Sequence, residues 1–325
     1  MTSEQVFQHM NVNDFMNEAG ANIRIVNAIA KTHNMLQRFM RPVCAISGGS
    51  DSDILLDILS RLDEDKDVKY VWYNTGIEYQ ATKKHLDFLE GKYGIKIERI
   101  KAVKPIAQCC REYGQPFVNK IASQFIEALQ VKGFNFSDMP YEEMKEQYGK
   151  SYADWWHNRG RIYSINKNRG LKEFMLANPP KFKISSKCCT YAKKKSALNY
   201  VRSINADLEI IGLRRAEGGA RKNIKTCFVG NAEQGRFYPI FWLTNEDKEN
   251  YCKIFGVVHS DCYTKYGLKR TGCAGCPFNR SLFNELENTK EFEPQLIKAV
   301  EMIFKDSYEY TMQYKRFMEA LNDTT

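Results

Sequence analysis

Three groups of residues have the types and spacing to do chemistry. The first is Ser47-Gly48-Gly49-Ser50-Asp51-Ser52. Two glycines let the backbone approach an anion closely, serine hydroxyls donate to phosphate oxygens, and a helix starting there adds its positive end. Such a turn suits a polyphosphate. The second group is four cysteines, the adjacent pair Cys188-Cys189 and the far pair Cys273-Ala274-Gly275-Cys276. The first pair opens a helix-like stretch running to Ile204 beside Lys187, Lys193, Lys194 and Lys195, surroundings that lower a thiol pKa and favour the metal-binding thiolate. Gly272 and Gly275 permit a tight knuckle around the second pair, so the four form a candidate Cys₄ site. The third group is Arg214, Arg215 and Arg221 with Glu217 among them. Guanidinium groups clamp phosphate or sulfate oxygens bidentately, and Glu217 is placed to orient one of them. Ordinary surface arginines after a strand are the alternative reading.

The elements that must position these groups alternate strand and helix. Pro42 starts a short apolar strand, Val43 to Ile46, and Ser52 or Asp53 is expected to cap a helix with the apolar face Ile54, Leu55, Ile58, Leu59 and Leu62. Val68 to Tyr73 is a second strand, ended by Asn74-Thr75-Gly76, and a helix over residues 79–93 leads to a third strand over 95–103. Strand, helix and strand in about thirty residues is the βαβ unit of a parallel sheet. Ligands of such sheets bind beyond the carboxyl ends of the strands, where both the Ser47–Ser52 turn and Asn74–Gly76 fall. A strand over 207–211 runs into the arginine loop. Residues 1–41 read as an N-terminal helical extension, 104–178 as a helical insertion and 281–325 as C-terminal helices, around an α/β domain spanning 42–280 with an open, mostly parallel, doubly wound sheet. His157, beside Trp155 and Trp156, is expected to be a packed residue, and Cys109-Cys110 a pair of buried thiols.

Composition narrows the class. The 325 residues, 43% of them hydrophobic, suffice for a sizeable core. The opening Met-Thr-Ser-Glu-Gln lacks a basic and an apolar leader region, and no run approaches a membrane span, so a soluble cytoplasmic protein without a membrane partner is expected. Ten cysteines in such a chain argue for thiols, a metal or catalysis rather than a disulfide framework. The net charge of +9 suits an anionic partner, a nucleotide or a nucleic acid, without choosing between them.

The Ser47–Ser52 turn lacks the Walker spacing and resembles the Ser-Gly-Gly-x-Asp-Ser loop of the PP-loop ATP pyrophosphatases, in the adenine nucleotide α-hydrolase-like group. Within that group the chain resembles the phosphoadenylylsulfate (PAPS) reductase family. Asn74-Thr75-Gly76 stands where the family has Asp-Thr-Gly, Gly212 to Arg221 looks like its Gly-x-Arg-Arg-x-Glu-x-x-x-Arg segment, and Pro239 to Asp247 resembles its Pro-Leu-x-x-Trp-Thr-x-x-Asp. The double cysteine followed much later by C-x-x-C resembles the [4Fe–4S] ligands of assimilatory sulfonucleotide reductases and of some PP-loop sulfurtransferases. That implies an iron–sulfur cluster, with zinc as the rival metal because C-x-x-C pairs often bind it.

The resemblance implies binding of ATP and Mg²⁺, cleavage to AMP and pyrophosphate, and adenylation of an acceptor for sulfur transfer, as in nucleic-acid thiolation. Ser47, Gly48, Gly49, Ser50 and Ser52 would hold the pyrophosphate, Asp51 would position Mg²⁺ or the loop, Asn74, Thr75 and Gly76 would meet the nucleotide, and Arg214, Arg215 and Arg221 would contact anionic oxygens. Nucleic acid or a sulfur-donor protein is the expected partner. Sulfonucleotide reductases attack sulfur with a cysteine in a C-terminal Glu-Cys-Gly-type motif, whereas no cysteine follows Cys276 here. A reductase is therefore the alternative, its nucleophile drawn from Cys227, Cys252 or Cys262; a non-catalytic nucleotide- or nucleic-acid-binding module is a third.

Overall fold

The computed structural model describes residues 9–65 and 67–323, so the first eight residues of the expected N-terminal extension and the last two of the C-terminal segment lie outside the described residues. Six strands form one sheet: β1 Pro42–Ala45, β2 Lys69–Asn74, β3 Ile97–Lys101, β4 Leu208–Ile211, β5 Phe228–Gly230 and β6 Gly235–Phe237. Their order is β3-β2-β1-β4-β6-β5, and every pairing is parallel except β5 with β6. The chain winds outward from β1 in one direction to β3 and later returns on the other side of β1 at β4. The switch point of this doubly wound sheet therefore lies between β1 and β4, the strands that lead into the Ser47–Ser52 turn and the arginine loop. The antiparallel β5 is not expected from the sequence. It is three residues long, carries a Gly230 at φ 152°, and closes on β6 through Asn231, whose side chain accepts from the Glu233 and Gln234 N–H groups.

Contacts divide the chain into two compact units. The first holds the described residues up to Asn74, Glu78–Lys101 and Lys195–Gly272; the second holds Thr75–Ile77, Ala102–Lys194 and the residues from Cys273 on. The sheet belongs to the first. Its central helix, Ser50–Leu62, is buried from Ser52 to Ser60, polar positions included, because it is covered on both sides. Leu55, Leu56 and Leu59 pack with Cys44, Tyr70 and Ile210 of the strands. Ile54 and Ile58 pack instead with Phe15, Ile25 and Ile29 of the N-terminal helices Val12–Glu18 and Ile23–Arg38, and with Tyr251 and Phe255 of helix Asn245–Phe255. Among the polar residues buried in this helix, Asp57 accepts from Arg61, Tyr93 (2.8 Å) and Tyr251 (2.7 Å).

Thr244 caps helix Asn245–Phe255, accepting from the Asp247 N–H while Asp247 accepts from the Thr244 N–H. Asp247 also receives Asn22 at 2.7 Å and Arg24 at 2.6 Å, tying the start of helix Ile23–Arg38 to helix Asn245–Phe255. Burial raises the Asp247 carboxyl, but these donors outweigh it and hold it well below the usual carboxylate range. A depressed pKa stabilises the fold above the unfolded value of about 3.9 and loses that contribution as the pH falls through the lower folded value. Asp247→Asn is therefore expected to lower stability by about 1–3 kcal/mol near neutral pH. In melting curves taken from pH 7 down to pH 2.5, its difference from wild type should shrink below about pH 4.

The second unit is largely helical and its core is aromatic: Phe117, Phe134, Phe136, Trp155, Trp156, Phe174 and Tyr310 are buried together. Phe125 stacks on Trp155 with ring centroids 5.0 Å apart. His157 packs edge-on against Tyr141 at 5.6 Å. The C-terminal helices Leu282–Lys290, Pro294–Ile303 and Lys305–Asp323 complete this unit.

Candidate functional site: a phosphate loop and a thiol cluster

The loop forms because β1 stops at Ala45 and glycine follows. Gly48 takes φ 67°, a left-handed conformation open to glycine, and a Cβ there would fall 2.7 Å from the Thr82 side chain. Gly48→Ala should cost about 1–3 kcal/mol of strain in the loop, read as a lower melting temperature and weakened nucleotide binding. The helix begins earlier than expected, at Ser50, with extended Gly49 at its N-cap. Neither Ser52 nor Asp53 is the cap. A glycine cap brings no side-chain acceptor, so Ser52, three residues on, supplies it: its hydroxyl accepts from Gly49 N–H at 3.1 Å and Ser47 N–H at 3.3 Å and donates to Gly49 C=O at 2.8 Å. Ser47 Oγ also accepts from Gly49 N–H. Both hydroxyls order the turn.

Asp51 is held by two cations. Arg214 Nε lies 2.9 Å from its Oδ2 and Lys248 Nζ 2.8 Å from its Oδ1, and Lys248 also bonds Ser50 Oγ. Burial raises this carboxyl, yet the bonds from Arg214 and Lys248 leave it below its ordinary value. Two cations thus meet the one carboxylate of Asp51 at a helix start, where Asp53 supplies a second. Tyr263 spans the turn, its phenol accepting from Ser50 N–H at 3.1 Å and Thr271 N–H at 3.2 Å.

The three arginines do different things. Arg214 is 5% exposed and spends its guanidinium on Asp51, on Asn245 at 3.0 Å and on Leu243 C=O, so it pins the loop from beneath rather than facing outward. Arg215 lies over the Trp242 ring, 5.6 Å from its centroid. Arg221 pairs with Glu217 at 3.0 Å, and Glu217 also accepts from Arg214 N–H. Arg215 and the half-exposed Arg221 are thus the arginines that face solvent beside β4. The sequence assigns Lys248, Tyr263 and Thr271 no role at the loop, since they reach it only through folding.

Asn74 ends β2 in the first unit, whereas Thr75 and Gly76 belong to the second. There the buried Thr75 lies 3.5 Å from Cys273 Sγ. Cys188 and Cys189 open a helix that passes at once into a π-helical turn, Thr190–Lys195, an irregularity frequent at functional sites. The two pairs are neighbours: Cys188 is pushed up first by its hydrogen bond with Cys189, then by burial and by the Cys110 and Cys276 thiols. Cys189 is lowered to about 6, first by the bond to Cys188 and further by Lys120, Lys193 and Lys194. Cys110, expected only as a buried thiol, joins them; burial and the thiols of Cys109, Cys276, Cys189 and Cys273 push it up to about 12. Gly275 shapes the knuckle, with φ 59° and its C=O accepting from Tyr308.

The donor set, cysteine thiols, is of the type that holds an iron–sulfur cluster or zinc. Among the described residues no three His, Cys, Asp or Glu side chains are gathered closely enough to hold one metal ion. Zinc would need its sulfurs drawn to about 2.3 Å from one point. Cys188, Cys189, Cys273 and Cys276 lie in the same unit, and thiolates are the ligands an iron–sulfur cluster takes.

A doubly wound sheet with a Ser-Gly-Gly-Ser-Asp-Ser turn at its switch point defines a PP-loop protein of the adenine nucleotide α-hydrolase-like group. Within that group the chain belongs to the PAPS reductase family: the phosphoadenosine phosphosulfate reductase domain matches residues 41–132 and, overlapping, 117–279. An uncharacterised protein of Methanocaldococcus jannaschii is 37% identical over 91 residues, which are 28% of this chain and 18% of that protein. Among solved structures, PAPS reductase from Candida auris in a phosphate complex superposes at a TM-score of 0.41 with 10% identity, covering 81% of this chain and 93% of that one. The U34-tRNA thiolase NcsA of Methanococcus maripaludis with its [4Fe–4S] cluster gives 0.39 with 12% identity, over 94% and 80%. The NH3-dependent NAD synthetase of Campylobacter jejuni gives 0.36 with 13% identity, over 94% and 96%. The described residues contain no helix long and apolar enough to cross a membrane.

Proposed function

We propose that this chain is a PP-loop enzyme that binds ATP with Mg²⁺, cleaves it to AMP and pyrophosphate, and adenylates an acceptor for sulfur transfer, nucleic acid being the acceptor class. The observation that carries this reading is the intact loop with Asp51 locked between Arg214 and Lys248 at a helix N-terminus. Backbone N–H groups and the helix end would bind the departing pyrophosphate. Lys248 Nζ, at the loop and on Ser50, is positioned to neutralise charge developing on the bridging oxygen. Arg215 and Arg221 are available to oxygens of the nucleotide or acceptor. Cys188, Cys189, Cys273 and Cys276 would hold the [4Fe–4S] cluster, which when bound supplies a thiophilic metal site for sulfur. No step at the loop depends on it.

The experiment is product analysis. Protein purified without oxygen is incubated with ATP and Mg²⁺, and separately with PAPS or adenylylsulfate plus thioredoxin. Equal amounts of AMP and pyrophosphate from ATP, without sulfite from either sulfonucleotide, support the proposal. Sulfite release without ATP cleavage would replace it with a reductase, and tight nucleotide binding with neither product would leave a binding module.

A further inference from the structure

One polar array in the sheet unit has no part in the reaction above. Asp53, fully buried in the helix that follows the loop, has Oδ2 2.8 Å from His259 Nδ1 and Oδ1 2.9 Å from His85 Nε2. The other nitrogen of His259, Nε2, lies 3.5 Å from Cys252 Sγ. In the tautomer whose Nδ1–H donates to Asp53, His259 turns its Nε2 lone pair to the thiol, the arrangement a general base needs. His85 occupies the second carboxylate oxygen and stacks on Phe88, so Asp53 is fixed from both sides. A nucleophile, a base and a group that orients the base, each within hydrogen-bond reach of the next, form the arrangement of an activated thiol.

Holding a buried carboxylate in place requires a partner such as His85; it does not require a thiol on the far side of His259. Cys252 and His259 are partly exposed, while Asp53 is not. Cys252 also lies one helical turn beyond Lys248, and the His259 ring is 5.8 Å from that of Tyr263. Both of those neighbours bond to the phosphate loop.

We propose that Cys252 is a nucleophilic thiol that accepts sulfane sulfur from a persulfide, with His259 as its general base and Asp53 as a positioning residue. His259 takes the thiol proton, the Cys252 sulfur attacks the outer sulfur of R–S–SH, the donor S–S bond breaks as a new one forms at Cys252, and R–S⁻ leaves with the proton from His259. The products are Cys252–S–SH and R–SH, with no net oxidation. The inference rests on the sulfur-transfer reading and names where the sulfur is first held. The charged groups facing Cys252 are Lys248, which favours the thiolate, and Asp53, Asp57 and Asp51, which oppose it; with burial as the largest cause they push the thiol up to about 11, so it needs a base near neutral pH.

The test treats the full chain with glutathione persulfide, without ATP, and follows each cysteine by peptide mass spectrometry after alkylation. Cys252 should gain one sulfur faster than the other partly exposed thiol of this unit, Cys227, and His259→Gln should slow it at least tenfold at pH 7 while Cys227 is unchanged. Equal rates at Cys252 and Cys227, or no effect of His259→Gln, would overturn the inference and leave the array a structural staple. Should that variant not fold, the wild-type rate decides. A rate that levels off above the histidine range supports the base, and one that climbs steadily beyond pH 9 overturns it. Failure of persulfide formation with ATP cleavage intact removes this inference alone. Failure of ATP cleavage with Cys252 persulfide formed removes the proposed function alone.

Discussion

Asp51→Ala is expected to abolish formation of AMP from ATP, lowering the rate roughly a hundredfold or more. The carboxylate holds Arg214 and Lys248 in place, and Arg214 in turn bonds Asn245 and Leu243 C=O at the start of the next helix. Removing it leaves a buried guanidinium without its counter-charge and frees the lysine that sits on Ser50. Stability should fall too, by about 1–3 kcal/mol. Asp51→Asn keeps the shape and part of the hydrogen bonding, so its melting temperature should recover more than its activity. The check is AMP and pyrophosphate release with melting curves on the same preparations; an Asp51→Ala protein that turns over ATP at the wild-type rate would show that the loop role is misassigned.

The largest effect on stability is expected at Asp57. Its buried carboxylate accepts from Arg61 at 2.8 and 3.2 Å and from the hydroxyls of Tyr93 and Tyr251, joining the loop helix to helix Gln80–Tyr93 and to helix Asn245–Phe255. Burial lowers the Arg61 guanidinium, but Asp57 more than compensates and raises it above its ordinary value. In Asp57→Ala an arginine and two phenols lose their acceptor in the helix core at once, which costs roughly 3–5 kcal/mol when a buried pair is broken from one side. Chemical denaturation should show the lower midpoint. A double variant, Asp57→Ala with Arg61→Met, should recover part of the loss, because replacing both charges leaves none uncompensated. Equal stability of single and double variants would contradict this account.

The parts of the fold that were legible in the sequence are local. The loop is six consecutive residues, strands β1 and β2 are built on short apolar runs, and Thr244 with Asp247 is a cap three residues apart. Gly49 as N-cap was hidden because Ser52, three residues on, does the capping for it. The hairpin of β5 was hidden because a three-residue edge strand has too few side chains to show alternation. The site residues missed in the sequence come from far along the chain: Lys248 reaches Asp51 across 197 positions and His259 reaches Asp53 across 206. Arg214, read from the sequence as a contact for phosphate or sulfate oxygens, bonds the Asp51 carboxylate in this structure. A sequence displays which residues can carry charge; which of them face outward depends on pairing that only folding establishes.

The central claim is that one chain joins a nucleotide loop to a four-thiolate cluster site, and the most direct measurement is iron and acid-labile sulfide on protein purified without oxygen, alongside Cys188→Ser and Cys276→Ser. The account predicts about four irons and four sulfides per chain, lost in both variants. Zinc in place of iron, or iron retained in full when either cysteine is replaced, would contradict it.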